Sequence, residues 1–438
     1  MLTPRLGRRR FIQAGAALPA LGVLALSHSA EVQAAIGQAA SRPPGATQTV
    51  KQASFAYVST VDDALNGPAD HHRAATGTRP GIHVFAITRD NWRRVQVVES
   101  EQPVFLARHP SGRFLYAVNR VELHQGLCTG SVEAYAIDPL NGRLSLLDRQ
   151  PLSLSGTLPS HAAISPDGRS LVVALSGGGA YNVMSICADG RLGTVSGILK
   201  ETGCGPDRTR QSAAHPQMVL FNSTGEHVLS ADLGCDRISV LILADGQLTA
   251  SGRTATLPGS GPRALAIHPG GRWLYALNEL SATVACYGYD AGLGVIGQKL
   301  DAISVAPADG DGVNLGTSTA LALHPSGHFL YAAYRRAAQG DSLTDTIRVF
   351  RIDSGSGKLA PVQSWNEDVS APLGLVFAPN GESLHVINHQ ADNILRLNID
   401  AASGMLNLPH RVASAPSPAC LVIAARPIGR QICPISTR

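Results

Sequence analysis

A β-turn pattern that ends in glycine recurs six times along the 438-residue chain, and its spacing constrains the fold more than any other feature. The turn glycines are residues 112, 168, 225, 271, 327 and 381, so successive steps are 56, 57, 46, 56 and 54 residues. In each unit one short apolar run precedes the turn and two follow it, as in residues 210–243, which predicts three strands in series. Units this small cannot bury their faces alone, so they must pack against one another.

The two chain ends complete a seventh unit. Residues 55–60 and 81–87 read as a second and a third strand with no first strand ahead of them, whereas residues 418–424 read as a first strand with nothing after it. We therefore predict an all-β fold, a seven-bladed β-propeller in which the N- and C-terminal strands close one blade. Pairing of the two ends would remove an open sheet edge.

The first 35 residues are predicted to be a signal peptide. Arg8, Arg9 and Phe11 precede an apolar segment at 14–26, and small side chains follow where a signal peptidase could cut. This resembles a bacterial twin-arginine signal, which implies the twin-arginine export machinery as a partner and a periplasmic or extracytoplasmic location. The segment has 13 residues and contains Pro19, so no stable membrane span is expected. The alternative is a basic tail before a short buried helix.

The remaining domain boundaries follow from the repeats. We predict a linker at residues 36–52, the propeller at 53–425 and a C-terminal tail at 426–438. The formal net charge is +4, but the four arginines and one glutamate of the first 34 residues supply +3 of it. No Lys/Arg-rich patch occurs afterwards, so nucleic acid is not a predicted partner. The seven cysteines form no CxxC or His-spaced pair, and no zinc site is predicted.

Propeller topology predicts where function can lie. If the first strand of each blade runs along the channel and the second returns, the residues just before strand one and just after strand two share one face. Cations and imidazoles collect there, Arg120 and His389 among them, which suits a small anionic or carbonyl-bearing ligand. The predicted ligand-binding residues are Arg210, Gln217, Asp232, Asp236, Asn278, Glu279 and Asn388. The alternative for each is a hydrogen bond to a neighbouring blade, and for Asp232 and Asp236 the capping of a turn.

From the first blade to the last, the sequence resembles the seven-bladed lactonase family, which includes bacterial 6-phosphogluconolactonases and fungal carboxymuconate-cyclising enzymes. The matching motifs are DLGCDRI (232–238), GPRALAIHPGGRWLYALNELSATV (261–284), HPSGHFLYAAYR (324–335) and DNILRLNIDAASGML (392–406). The resemblance implies hydrolysis of a lactone without a metal or an organic cofactor.

The chain departs from the family at several polar positions of one mouth. Family members often carry a Pro-His-x-His loop, in which His215 is kept here but the second histidine is Gln217. Arg263 and Arg335 also remain. Polar residues usual in the family are replaced by Ala264, Ala320, Ala322 and Leu373.

Lactone hydrolysis requires a group that takes a proton from the attacking water and a group that stabilises the charge on the carbonyl oxygen. Histidine titrates near neutral pH, so His215 or His161 is the predicted base. A fixed cation suits the developing oxyanion, so Arg263 or Arg335 is the predicted stabiliser.

Three functions remain open at this point. The first is an extracytoplasmic lactonase acting on a small sugar or organic-acid lactone, for which export argues against a phosphorylated sugar. The second is a propeller that binds a small anionic ligand or a protein partner without turnover, which the alanines at 264, 320 and 322 favour. The third is a related enzyme with altered chemistry, such as a cycloisomerase, or a subunit associated with an oxidoreductase.

Overall fold

The computed structural model describes residues 54–62, 79–88, 91–307, 316–336 and 345–424. The chain separates into two units, Met1–Lys51 and Gln52–Arg438. The predicted signal peptide, linker and C-terminal tail lie outside the described residues. Within them, every regular element is a β-strand.

The strands are numbered in chain order. They are β1 (Ser54–Thr60), β2 (Gly81–Ile87), β3 (Trp92–Glu99), β4 (Pro103–Arg108), β5 (Phe114–Asn119), β6 (Ser131–Ile137), β7 (Leu144–Pro151), β8 (Pro159–Ile164), β9 (Ser170–Leu175), β10 (Ala180–Ile186), β11 (Leu192–Lys200), β12 (Pro216–Phe221), β13 (His227–Asp232), β14 (Arg237–Ala244), β15 (Gln247–Ala255), β16 (Pro262–Ile267), β17 (Trp273–Asn278), β18 (Thr283–Asp290), β19 (Val295–Ser304), β20 (Gly316–Leu323), β21 (Phe329–Arg336), β22 (Thr346–Ile352), β23 (Leu359–Trp365), β24 (Pro372–Phe377), β25 (Ser383–Asn388), β26 (Asn393–Ile399), β27 (Leu406–Ser414) and β28 (Pro418–Ala424).

These strands form seven antiparallel four-stranded sheets. Blades I to VI take four consecutive strands each, beginning with β4, β8, β12, β16, β20 and β24. Blade VII has the order β28-β1-β2-β3, with Tyr57 opposite Val422, so the last strand of the chain pairs with the first. The first strands of neighbouring blades contact one another around a closed ring. The predicted seven-bladed propeller with one blade shared by the chain ends is confirmed.

The apolar core lies between blades. In β5, the sequence FLYAVN is apolar at five of six positions and all six residues are buried, because both faces of this strand meet a neighbouring sheet. One core cluster joins Tyr116 and Val132 of blade I to Leu171 and Met184 of blade II. Burial therefore depends on the neighbouring blade, which is why no single unit is stable by itself.

A recurring aromatic-x-tyrosine motif at the start of the second strand joins four of the blades to the next. In blade I, the Tyr116 hydroxyl donates to the carbonyl oxygen of Gly190, in the last turn of blade II, at 3.0 Å. Gly190 has a φ of +88°, and a Cβ there would collide with the Phe114 ring, so this turn requires glycine. The same bond recurs in three other blades, as Tyr57 to Gly142, Tyr275 to Gly357 and Tyr331 to Gly404.

The histidine of the His-Pro-x-Gly turns makes a second inter-blade contact. His109 Nε2 lies 2.9 Å from the carbonyl oxygen of Gly168, the turn glycine of the next blade. Because a carbonyl oxygen only accepts, the ring nitrogen donates. The same contact joins His268 to Gly327 and His324 to Gly381. These histidines of the repeat thus have a structural role on the face opposite the mouth.

Candidate functional site

The strand register brings the start of each first strand and the end of each second strand to one face. Pro216 lies opposite Asp232 in blade III, and Pro262 lies opposite Asn278 in blade IV. The next residue after the second strand donates its amide to the residue before the proline, as Glu279 does to the Gly261 carbonyl. The mouth of the channel is therefore formed by matching positions of successive blades.

Every first strand has a β-bulge, which follows the first paired residue in six blades and the third paired residue, Ser318, in blade V. The bulged residues are Val104, Ser160, Gln217, Arg263, Thr319, Leu373 and Ala419. A bulge leaves one residue unpaired and re-aims its side chain. Three of these side chains bond to the first strand of the next blade: Ser160 Oγ to Pro216 O at 3.0 Å, Arg263 Nε to Thr319 O at 3.1 Å and Thr319 Oγ1 to Pro372 O at 2.5 Å. Arg263 and Gln217 thus occupy equivalent places in the inner ring.

Arg210, Arg263 and Glu279 come together in one ion-pair cluster. Arg263 Nη1 lies 2.5 Å from one oxygen of Glu279, and Arg210 Nη2 bonds to the other oxygen. Burial raises the pKa of Glu279, but Arg263 and Arg210 together lower it by more than burial raises it. The net shift of this pKa is therefore downward. Glu279 is therefore ionised at neutral pH. Because two guanidiniums face one carboxylate, the cluster keeps a net positive charge.

Arg120 of blade I adds a third guanidinium near this ion-pair cluster. The sequence placed Arg120 on this face but predicted no role for it. Its pKa falls to about 10, because of burial first and then because of the nearby charge of Arg263, while Glu279 opposes the shift. It stays protonated at neutral pH. Arg120 Nη1 lies 3.0 Å from Ser176 Oγ. The sequence signal for Arg120 is its register, since it follows its second strand as Glu279 does.

His215 lies between blades II and III. Its Nδ1 is 2.7 Å from the carbonyl oxygen of Ser176, which can only accept, so Nδ1 carries the proton. Among the described residues, Nε2 has no hydrogen-bond partner. An imidazole with a protonated Nδ1 presents Nε2 as a proton acceptor. The Ser176 hydroxyl also connects this histidine to Arg120.

His161 is in a different environment. It lies in β8, with its ring centroid 3.9 Å from that of Phe105, and its Nδ1 is buried without a hydrogen-bond partner. Burial lowers its pKa to about 3. An imidazole with so low a pKa is neutral at neutral pH but accepts a proton poorly.

Four of the predicted ligand-binding side chains make hydrogen bonds to other residues of the propeller. Asp232 Oδ1 accepts from the amides of His215, Gly234 and Cys235, and Asp236 accepts from Gly259 and Gly261. Asn278 Nδ2 donates to Thr283, and Asn388 bonds to Ser370, Asp368 and Asn393. All four are buried. A short side chain beside free backbone amides holds a turn, which is the capping role that the sequence left open for Asp232 and Asp236.

The last two predicted residues lie in blades III and V. Gln217 is the bulged residue of β12, and its Nε2 is 3.4 Å from the His215 carbonyl oxygen. Arg335 of β21 pairs with Thr317 at the same level as the mouth positions of the other blades. Burial raises the pKa of Asp345, and Arg335 opposes that shift, so the two charges are close.

Within the described ranges, no group of three or more His, Cys, Asp or Glu side chains is arranged to hold a metal ion. In the same ranges, no helix has the length and apolar character needed to cross a membrane.

Comparison with known proteins places the chain in a family. Residues 57–423 match the family described as "Lactonase, 7-bladed beta-propeller". A 6-phosphogluconolactonase of Bacillus subtilis is 29% identical over 319 residues, which cover 73% of this chain and 86% of that protein.

Solved structures show the same likeness. A periplasmic gluconolactonase of Pseudomonas aeruginosa is 26% identical with a TM-score of 0.73, covering 86% of this chain and 100% of that one. A structure titled as a putative 6-phosphogluconolactonase of Bacteroides fragilis is 25% identical with a TM-score of 0.73, covering 87% and 100%. The chain belongs to the seven-bladed β-propeller lactonase family and is a hydrolase of the lactonase type.

Proposed function

We propose that the protein hydrolyses a small sugar or organic-acid lactone at the channel mouth, without a metal ion. The observation that carries this proposal is His215, whose Nδ1–H is tied to Ser176 while Nε2 is open, near a cluster of arginines. Water adds to the lactone carbonyl carbon, the ring C–O bond breaks, and the ring oxygen leaves as a hydroxyl. The product is a hydroxy acid, which releases a proton at neutral pH.

Each step has a candidate residue. His215 Nε2 takes a proton from the attacking water and returns it to the ring oxygen as the C–O bond breaks. Arg263 stabilises the negative charge that develops on the carbonyl oxygen. Its bonds to Glu279 and to Thr319 hold the guanidinium in place before the substrate arrives, which favours this role.

The geometry supports His215 over His161 as the base, because a pKa of about 3 makes His161 a weak proton acceptor. We assign to Arg335 a role in binding the lactone on the blade V side of the mouth. Gln217, as the bulged neighbour of His215, is a candidate hydrogen-bonding partner for substrate hydroxyls.

The substrate is proposed from the charge of the mouth and from the relatives. Arg120, Arg210 and Arg263 against Glu279 leave a positive surface that suits a polyhydroxylated or acidic lactone. The relatives are named as lactonases of 6-phosphogluconolactone and gluconolactone. Export would separate this chain from phosphorylated intermediates, so we favour an unphosphorylated lactone.

We also propose that the protein works outside the cytoplasm. The Arg8-Arg9 sequence and the likeness to a periplasmic gluconolactonase support this location. Replacing both arginines by lysine should keep the chain in the cytoplasm on cell fractionation. An unchanged periplasmic share in that variant would contradict export by the twin-arginine route.

A lactone panel tests the activity. The chain without residues 1–35 is incubated with gluconolactone, 6-phosphogluconolactone and organic-acid lactones, with and without EDTA, while a pH-stat records acid release. We expect release above the spontaneous rate that EDTA does not reduce. A rise in melting temperature without acid release would indicate binding without turnover and contradict the proposal. Release abolished by EDTA would contradict metal independence.

A further inference from the structure

We propose that Asp232, Gly234 and Ser176 are positioning residues, which hold the His215 ring in one orientation and one tautomer. The inference rests on the proposed function, because it gives these residues a purpose in the lactonase site. It also reassigns Asp232, whose side chain does not face the mouth. Three separate contacts carry it.

The first contact fixes the backbone of the histidine. Asp232 Oδ1 accepts from the His215 amide at 2.8 Å, and it also accepts from Gly234 at 3.0 Å and Cys235 at 3.2 Å. One oxygen therefore joins the approach to β12 to the turn between β13 and β14. Asp232 has no exposed surface, so water does not compete for this oxygen.

The second contact limits the position of the ring. A Cβ placed on Gly234 would lie 2.8 Å from His215 Cδ2 and would collide with the Ala213 carbonyl oxygen. The φ of Gly234 is not positive, so backbone strain does not explain the glycine. The close approach of residues 213–215, which include His215, explains why glycine is needed at position 234.

The third contact selects the tautomer. The Ser176 carbonyl oxygen accepts from Nδ1, and Ser176 is itself held by its hydroxyl, which donates to Leu158 O at 2.7 Å and accepts from Arg120 Nη1 at 3.0 Å. The hydrogen bond at one ring nitrogen determines which nitrogen carries the proton. Nε2 is thereby left unprotonated, as a base requires. Blade II thus fixes the tautomer, while blade III fixes the position.

Substitution of Asp232 tests the positioning by kinetics. Asp232→Ala removes the acceptor for three amides, and we expect kcat for a lactone to fall by about ten- to a hundredfold while KM changes less than about threefold. Asp232→Asn keeps Oδ1 as an acceptor, so it should restore kcat to within about threefold of the wild type. Thr60→Ala is the matched control, because Thr60 holds the same register position in blade VII and is also buried with two backbone hydrogen bonds.

Spectroscopy of the imidazole provides a readout that does not depend on turnover. With 15N-labelled histidine, and the His215 signals assigned by their loss in His215→Gln, the wild type at about pH 9 should show the Nδ1–H tautomer. Asp232→Ala should show a mixture of tautomers, and Asp232→Asn should resemble the wild type. If Asp232→Ala does not fold, Asp232→Thr replaces it, because Thr60 stands at the equivalent buried position of blade VII, and the same mixture is expected.

Two results would overturn the inference: an Nε2–H tautomer in the wild type, or an unchanged tautomer and kcat in a folded Asp232→Ala. Failure of the proposed function has a different signature. If His215→Ala hydrolyses lactones as fast as the wild type while the wild-type ring is the Nδ1–H tautomer, His215 is held as described but is not the base.

Discussion

At the scale of single residues, the histidines of this protein differ by the surroundings of the ring. His215 has one nitrogen on a carbonyl and the other open, whereas His83, His161 and His385 lie in places where burial lowers the pKa, to about 4, about 3 and about 4. The open Nε2 of His215 can accept a proton. The other three imidazoles are neutral at neutral pH, and their protonation in acid destabilises the folded protein.

The buried histidines predict an acid-dependent loss of stability. A pKa below the unfolded value of about 6.5 means that the unfolded chain binds protons at a pH where the folded chain does not. The stabilisation is therefore complete above about pH 6.5 and is lost progressively as the pH falls towards the folded value of about 4. His385 packs against Trp92, so His385→Phe should keep the ring contact and flatten the fall in melting temperature between about pH 7 and pH 4.

Tyr287→Phe provides the control, since it changes a buried ring without removing an imidazole and should leave the pH dependence of the melting temperature between about pH 7 and pH 4 as it is in the wild type. An equally steep fall in His385→Phe would contradict the account of His385.

Residue roles are also where sequence reasoning reached its limit. Repeat spacing predicted which face would collect polar residues, but it did not distinguish Asp232, which holds a turn, from Glu279, which pairs with two arginines. Both follow or end a second strand. The difference depends on which backbone amides and which side chains lie within 3 Å, and sequence spacing carries no such distance. The low pKa of His161 likewise depends on surrounding atoms from other blades.

At the scale of elements, the second strand of four blades carries a hydrogen bond to the next blade. Its tyrosine donates to a turn glycine of the next blade in blades I, IV, V and VII. In blade VI, His385 stands at the tyrosine position. The pattern explains why FLY and WLY recur at fixed distances from the turn glycines. Repetition made these elements predictable, because the same residues recur in the same order.

Removal of one such hydroxyl should be measurable. Tyr116→Phe loses a buried hydrogen bond and leaves the Gly190 carbonyl unsatisfied, so the free energy of unfolding should fall by about 1–2 kcal/mol. Urea denaturation with a linear fit measures it. Tyr287→Phe is the control, because this tyrosine is also buried but its hydroxyl has no hydrogen bond to the described residues. Equal losses in the two variants would show that the inter-blade bond contributes nothing.

At the scale of the whole molecule, ring closure brings distant parts of the sequence to one mouth. Arg120, Ser176 and His215, which belong to blades I, II and III, form a path of hydrogen bonds, and the charges of Arg263 and Glu279 in blade IV act on Arg120. Pairing of β28 with β1 completes the ring. The family likeness and the repeat period made the fold predictable, but the path across the mouth required coordinates.

The most direct measurement compares lactone hydrolysis by the wild type, His215→Ala and Arg263→Ala in a pH-stat, on the lactone that the wild type hydrolyses fastest. The account predicts that each substitution lowers turnover at least about a hundredfold, because one removes the base and the other the cation at the oxyanion. Wild-type rates in both variants would contradict the proposed site.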